Sequence, residues 1–147
     1  MQESKIVLVT GASSGFGAEI CHLLIQKGYL VIGAARRLDK LKELQDRLEL
    51  KDHFYPLELD VTNTDQIDHL FENLPQNWQN IDILINNAGL ALGVETADQA
   101  DFKNWQQMIE TNVLGLVHLT HHILPKMVAK NQGYIINMGS IAGTYPY

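Results

Sequence analysis

Five short runs of apolar residues, rich in Val and Ile, alternate along the chain with longer stretches in which apolar residues recur every three or four positions. The runs at residues 5–9, 30–35, 54–59, 81–85 and 134–140 have the length and continuity of strands buried on both faces. Between them, Ile20, Leu23 and Leu24 predict a first helix over 18–27, with Gly28 as its stop. Leu41, Leu44 and Leu48 predict a second helix with Asp39 as N-cap, and Ile67, Leu70, Phe71 and Leu74 a third capped by Thr64. After a small, polar loop at 90–100, a long helical stretch carries Trp105, Met108, Ile109, Val113, Leu116, Val117, Ile123, Leu124 and Met127. Pro125 should kink or break it, and Gly133 ends the connection.

Strands separated by helices must run parallel with right-handed crossovers, so the expected fold is α/β, a doubly wound parallel sheet ordered 3-2-1-4-5. All 147 residues are read as one dinucleotide-binding-type domain, without repeat or linker. In such a sheet, ligands collect at the C-terminal ends of the strands. With 46% apolar and 19% charged residues, the composition is that of a globular protein with a substantial core. No apolar run is long enough for a bilayer span and no leader pattern precedes the first strand, so the expected location is the cytoplasm. A net charge of −6 argues against a nucleic-acid or anionic-membrane surface, and confines any phosphate site to a few residues. The single cysteine, Cys21, excludes a disulfide framework and reads as a small core residue.

The unusual clusters all fall at strand ends. Residues 10–17 read T-G-A-S-S-G-F-G, a tight turn between the first strand and the first helix. Such a turn aims free N–H groups and the positive end of the helix at one point, where a pyrophosphate can sit. Gly11 lets the chain turn, Gly15 leaves room for a phosphate, and Gly17 lets helix and strand backbones approach. Arg36 and Arg37 follow the second strand, where an acid would bind the ribose hydroxyls of NAD. Two guanidinium forks suit a phosphate instead, which makes NADP the expected cofactor. Asp60 and Val61 end the third strand, N-N-A-G at 86–89 the fourth, and Ser140 the fifth.

In this order and spacing, T-G-A-S-S-G-F-G, Asp60, N-N-A-G and I-N-M-G-S at 136–140 resemble the short-chain dehydrogenase/reductase family, over the chain from about residue 5 onward. The wording L-I-N-N-A-G-L-A-L-G at 84–93, with the paired arginines, looks most like the bacterial NADP-dependent 3-hydroxy acid dehydrogenases within it. The resemblance implies hydride transfer between NADP and a small hydroxy or carbonyl substrate, with full-length members forming homo-oligomers. It implies cofactor contacts at Gly11, Ser13, Ser14, Gly15, Phe16 and Gly17, at Arg36 and Arg37, at Asp60 and Val61, and at Asn87, Ala88 and Gly89. Asn86 is implied as a brace of the sheet. Ser140 matches the family serine that polarises the substrate oxygen, and Asn112, in T-N-V-L-G, matches the asparagine that supports the catalytic lysine.

The family's Y-x-x-x-K lies about thirteen residues after that serine, past Tyr147, and Tyr145 and Tyr147 read as loop aromatics rather than its tyrosine. The expectation is therefore an N-terminal, cofactor-binding portion of a reductase, inactive alone; the alternative is a non-catalytic NADP-binding module or sensor. His118, His121 and His122 have spacings that two imidazoles could use to share a metal, but without companion ligands they read as a helix surface, and no metal is expected. Trp78 and Trp105 read as packing residues. Val113, Leu116, Val117 and Ile123 are expected to form an apolar stripe that needs a cover.

Overall fold

A computed structural model describes residues 4–144; Tyr145 and Tyr147 lie outside them. The strands β1 (Ile6–Thr10), β2 (Leu30–Ala35), β3 (Phe54–Glu58), β4 (Ile81–Asn86) and β5 (Tyr134–Asn137) form one parallel sheet in the order β3-β2-β1-β4-β5. The anticipated doubly wound α/β architecture is thus the observed one. Side chains alternate across the sheet, and each face has its own core. Val7, Val9 and Val31 pack with Cys21 and Ile25 of α1 (Gly15–Gln26) and with Leu41 and Leu44 of α2 (Leu38–Arg47). Leu8, Ile32 and Leu84 pack on the other face. Their partners are Ile67 of α3 (Thr64–Asp68), Leu70 of α4 (Leu70–Asn73), and Leu119, Ile123 and Met127 of α6 (Leu116–Ala129). Each fully buried Leu or Ile here contributes on the order of 1.5–3 kcal/mol. The chain changes faces between β1 and β4, which opens a crevice at their C-terminal ends.

Local chemistry sets the element ends. Gly28, at φ +85°, takes the left-handed position that closes α1, and its N–H meets Ile25 O at 2.9 Å. Asp39 is not the N-cap of α2; the helix starts after Arg37, and Asp39 sits in its first turn, where a carboxylate complements the helix dipole. Nor does Thr64 cap α3. Asn63 does, its Oδ1 accepting from Gln66 N at 3.1 Å. The third helix is also two pieces, separated at His69. At the far end of the sheet, β1 and β4 slip register beside Ile6, and Asp82 Oδ2 accepts the Ile6 N–H at 2.9 Å. Lys130 Nζ closes this corner, donating to Asp82 Oδ1 at 2.8 Å and to Asn80 Oδ1 and Ile81 O at 2.9 Å.

The long helix departs most from expectation. It comprises α5 (Phe102–Ile109), a wider π segment (Glu110–Gly115) and α6, which runs through Pro125 without interruption. Pro125 is exposed, so the carbonyl its ring leaves unpaired can meet water. Ile123 is not part of an uncovered stripe; it is 1% exposed and faces the sheet. Val113 and Val117 are about half exposed, at 50% and 56%, and Trp105, anticipated as a packing residue, is 43% exposed. Trp78 is a packing residue, its ring 5.5 Å from that of Tyr55.

Candidate functional site

The crevice is a cavity of about 350 Å³, within the size range of small-molecule sites. The glycine turn forms its floor. Gly11 has φ +67° and Gly15 φ +54°, left-handed values that favour glycine. Gly17 is required for a different reason. A Cβ there would stand 2.6 Å from Asn87 Nδ2 and 2.7 Å from the carbonyl carbon of Gly11, so only hydrogen lets α1 lie this close to the turn. Ser14, the N-cap of α1, makes no side-chain capping bond, and the first turn holds no acidic residue. The positive end of α1 is left to an anion.

Thr10, 2% exposed, holds the site together. Its Oγ1 accepts from Asn87 N at 3.0 Å and from Ala88 N at 2.9 Å, while Asn87 Nδ2 donates to Thr10 O at 3.0 Å. N-N-A-G is thereby clamped onto the glycine turn. Sequence reasoning passed over Thr10, although a hydroxyl ending an otherwise apolar strand marks a buried polar group that needs partners. On the opposite wall, Arg37 Nη2 reaches Ser13 Oγ at 3.1 Å and Ser14 Oγ at 3.3 Å. Asp60 is the only acidic residue lining the cavity among the described residues, and its Oδ1 is already taken by Thr62 N and Thr62 Oγ1, at 2.9 and 2.8 Å. Arg36 and Arg37 both line the cavity, Arg37 against two hydroxyls, and neither is paired to a carboxylate among the described residues.

The residues anticipated as cofactor contacts line this cavity with one exception, Gly15, whose missing Cβ would face open space. Ala35, Leu59, Leu90 and Thr111 line it too, and sequence reasoning missed all four as site residues. Asn112 and Ser140 do not. Asn112 lies in the π segment and grips Leu90 from behind, Nδ2 donating to its carbonyl at 2.7 Å and Oδ1 accepting its N–H at 2.9 Å. Ser140 is exposed, and its Oγ accepts from Ala142 N at 3.1 Å, starting the short turn after β5.

A family model described as short chain dehydrogenase matches residues 5–147. This chain belongs to the short chain dehydrogenase family. Among curated members, a probable NADP-dependent dehydrogenase of Haemophilus influenzae is 52% identical over 145 residues, covering 99% of this chain and 57% of that protein. The NADP-dependent 3-hydroxy acid dehydrogenase YdfG of Escherichia coli strain K12 is 52% identical over 142 residues, covering 97% of this chain and 56% of that protein. The chain thus spans somewhat more than half the length of these short chain dehydrogenases. Among solved structures, the closed form of a serine dehydrogenase complexed with NADP+ superposes with a TM-score of 0.92 at 52% identity, covering 97% of this chain and 56% of that one.

The other polar clusters have local explanations. His118 Nε2 pairs with Asp68 Oδ1 at 2.9 Å, and His122 stacks on Phe71 with centroids 5.3 Å apart. Among the described residues, no three His, Cys, Asp or Glu side chains are placed to share a metal ion, and no helix is long and apolar enough to cross a membrane. Cys21 is sealed in the core, where burial pushes its thiol up to about 12.

Proposed function

We propose that this chain provides the NADP-binding half of a short chain reductase that transfers a hydride to or from a small 3-hydroxy acid of the serine type. The observation that carries this reading is the wall formed by Arg36 and Arg37, two guanidinium groups beside an uncapped helix N-terminus with no carboxylate to pair them. The glycine turn and the first turn of α1 would hold a pyrophosphate through backbone N–H groups. The 2′-phosphate would replace the neutral serine hydroxyls that Arg37 now reaches with an anionic acceptor. Asp60 and Val61 would border the adenine, and Asn87, Ala88 and Gly89 the adjoining ribose. When bound, the cofactor supplies the hydride acceptor or donor. Ser140 would hydrogen-bond the substrate oxygen, a donor placed where negative charge develops. Asn112 would fix Leu90 and so the wall of the cavity. The similarity to a 3-hydroxy acid dehydrogenase and to a serine dehydrogenase supports the substrate class. The working protein would be a cytoplasmic homo-oligomer.

The test is a titration with NADPH and NADH. Charge-assisted bonds of about 1.5–3 kcal/mol each should give NADPH a preference on the order of 10²-fold, which Arg36→Ala with Arg37→Ala should erase. Equal affinities in the parent protein, or a preference that survives both substitutions, would overturn the assignment.

A further inference from the structure

Apart from Thr10, Asn86 is the only buried polar side chain among the described residues, at 3% exposure. Its side-chain amide donates both hydrogens, to Thr120 Oγ1 at 3.0 Å and to Asn137 Oδ1 at 2.9 Å. One amide therefore joins three elements: β4 as it enters N-N-A-G, β5 as it leads to Ser140, and α6, which continues the segment carrying Asn112. The backbone adds one more rung, Met138 N donating to Asn86 O at 3.0 Å. Beyond that rung the chain leaves the sheet, and Ser140 follows two residues later. Among the described residues β5 pairs with β4, and this rung is where that pairing ends.

An amide whose two N–H groups each meet a fixed acceptor cannot rotate about its last torsion without breaking both bonds. Asn137 Oδ1 offers one acceptor from the last residue of β5, where the chain leaves the sheet, a weak anchor. Thr120 Oγ1 offers the other from a helix whose neighbours Leu119 and Ile123 are buried, a rigid one. Without the Thr120 oxygen, a buried N–H of Asn86 would lose its partner and the amide would be free to swing toward or away from Asn137.

We propose that Thr120 is a positioning residue: its hydroxyl locks the Asn86 amide, which locks Asn137 and fixes where Ser140 stands relative to the N-N-A-G turn. The proposal deepens the reading of Ser140 given under Proposed function and rests on it. The substitutions are Thr120→Val, which keeps the shape and loses the acceptor, and Thr120→Ser, which keeps the acceptor. In the intact protein, amide hydrogen exchange over residues 137–142 reads the lock directly, while oxidation of 3-hydroxypropanoate with NADP reads its use.

Thr120→Val should speed exchange there and lower kcat by about tenfold or more, the scale of a misplaced reacting group. The KM for the hydroxy acid and the NADPH affinity should stay within about twofold. Thr120→Ser should restore both exchange and kcat. Unchanged exchange in Thr120→Val would overturn the lock whatever the activity. Faster exchange with unchanged kcat, or a loss that Thr120→Ser does not restore, would reduce Thr120 to a structural residue and overturn the proposal. If the parent protein oxidises no 3-hydroxy acid with NADP, the functional reading itself fails, and the positioning role falls with it; the exchange data then distinguish that failure from a broken lock.

Discussion

Replacing Gly17 by alanine sets two effects of known sign against each other. Gly17 is helical and its φ is not among the positive ones, so alanine gains about 1 kcal/mol of helix propensity there. Against this, the new methyl would meet the Gly11 carbonyl and Asn87 Nδ2, the latter at 2.6 Å. Backbone cannot step aside as a flexible side chain can, so α1 must retreat from the turn by roughly an ångström, an overpacking cost of about 2 kcal/mol. Moving Asn87 also weakens its bond to Thr10 O, worth about 1 kcal/mol. The net loss is about 2 kcal/mol, and the N–H groups at the start of α1 move away from the phosphate they would hold. Urea unfolding measures the first consequence and fluorescence titration with NADPH the second, where affinity should fall about tenfold or more. Gly15→Ala is the contrast: it meets nothing within 4 Å and carries only the strain of φ +54°, about 1–2 kcal/mol. A Gly17→Ala protein more stable than its parent, with NADPH affinity intact, would show that the close approach of α1 to the turn is not what makes glycine necessary.

Thr10→Val should cost about 1–3 kcal/mol in urea unfolding, because Ala88 N–H loses its acceptor within the fold while Asn87 N–H keeps only Ile85 O; a cost under about 0.5 kcal/mol would mean the clamp is replaceable. His122 should make stability depend on pH: burial, aided by nearby His118, His121 and Lys126, holds its imidazole below 6.5 against an opposing pull from Asp68. Its stabilising contribution is therefore present above pH 6.5 and lost as pH falls through that value toward the lowered folded one. His69, on the surface, is shifted the other way by its hydrogen bond to the Asp65 backbone and by the Asp65 charge, and its contribution fades as pH rises above 6.5. Urea midpoints from about pH 7.5 to about pH 5.5 should fall less in His122→Phe than in the parent; equal slopes would refute the assignment to His122.

The sheet was legible because each strand is apolar on both faces, and the two-faced pattern dictates parallel pairing covered by helices. The cavity was legible for a related reason: apart from Gly33 within β2, glycines, arginines and asparagines interrupt the apolar runs at the strand ends. Helix starts were less so. Asp39 and Thr64 are good caps in isolation, yet one side chain at Asn63 and the backbone at Arg37 begin the helices one or two residues earlier. The π segment left no mark at all, since E-T-N-V-L-G is acceptable in any helix, and what accompanies the wider turn is a contact across 22 residues, Asn112 to Leu90. Ile123 was misassigned because one apolar stripe was drawn through Val117 and Ile123, which stand six residues apart in α6 and so lie on different faces.

That wider turn has a consequence for how this chain can be edited. A π turn holds one residue more than an α turn over the same hydrogen-bonded step, so the helix from Phe102 to Ala129 carries a surplus residue between Glu110 and Gly115. Deleting any one of those six residues would leave a sequence able to close into ordinary α turns, and by helical content alone nothing would be lost. The loss would be local: the wider turn already absorbs the surplus residue, so the turns on either side would keep their phase, and the side chains inside the segment would be re-aimed. Asn112 would swing off Leu90 while the core of α6 stayed in place. In a deletion scan this segment should therefore stand out as a place where the protein folds and the cavity wall does not.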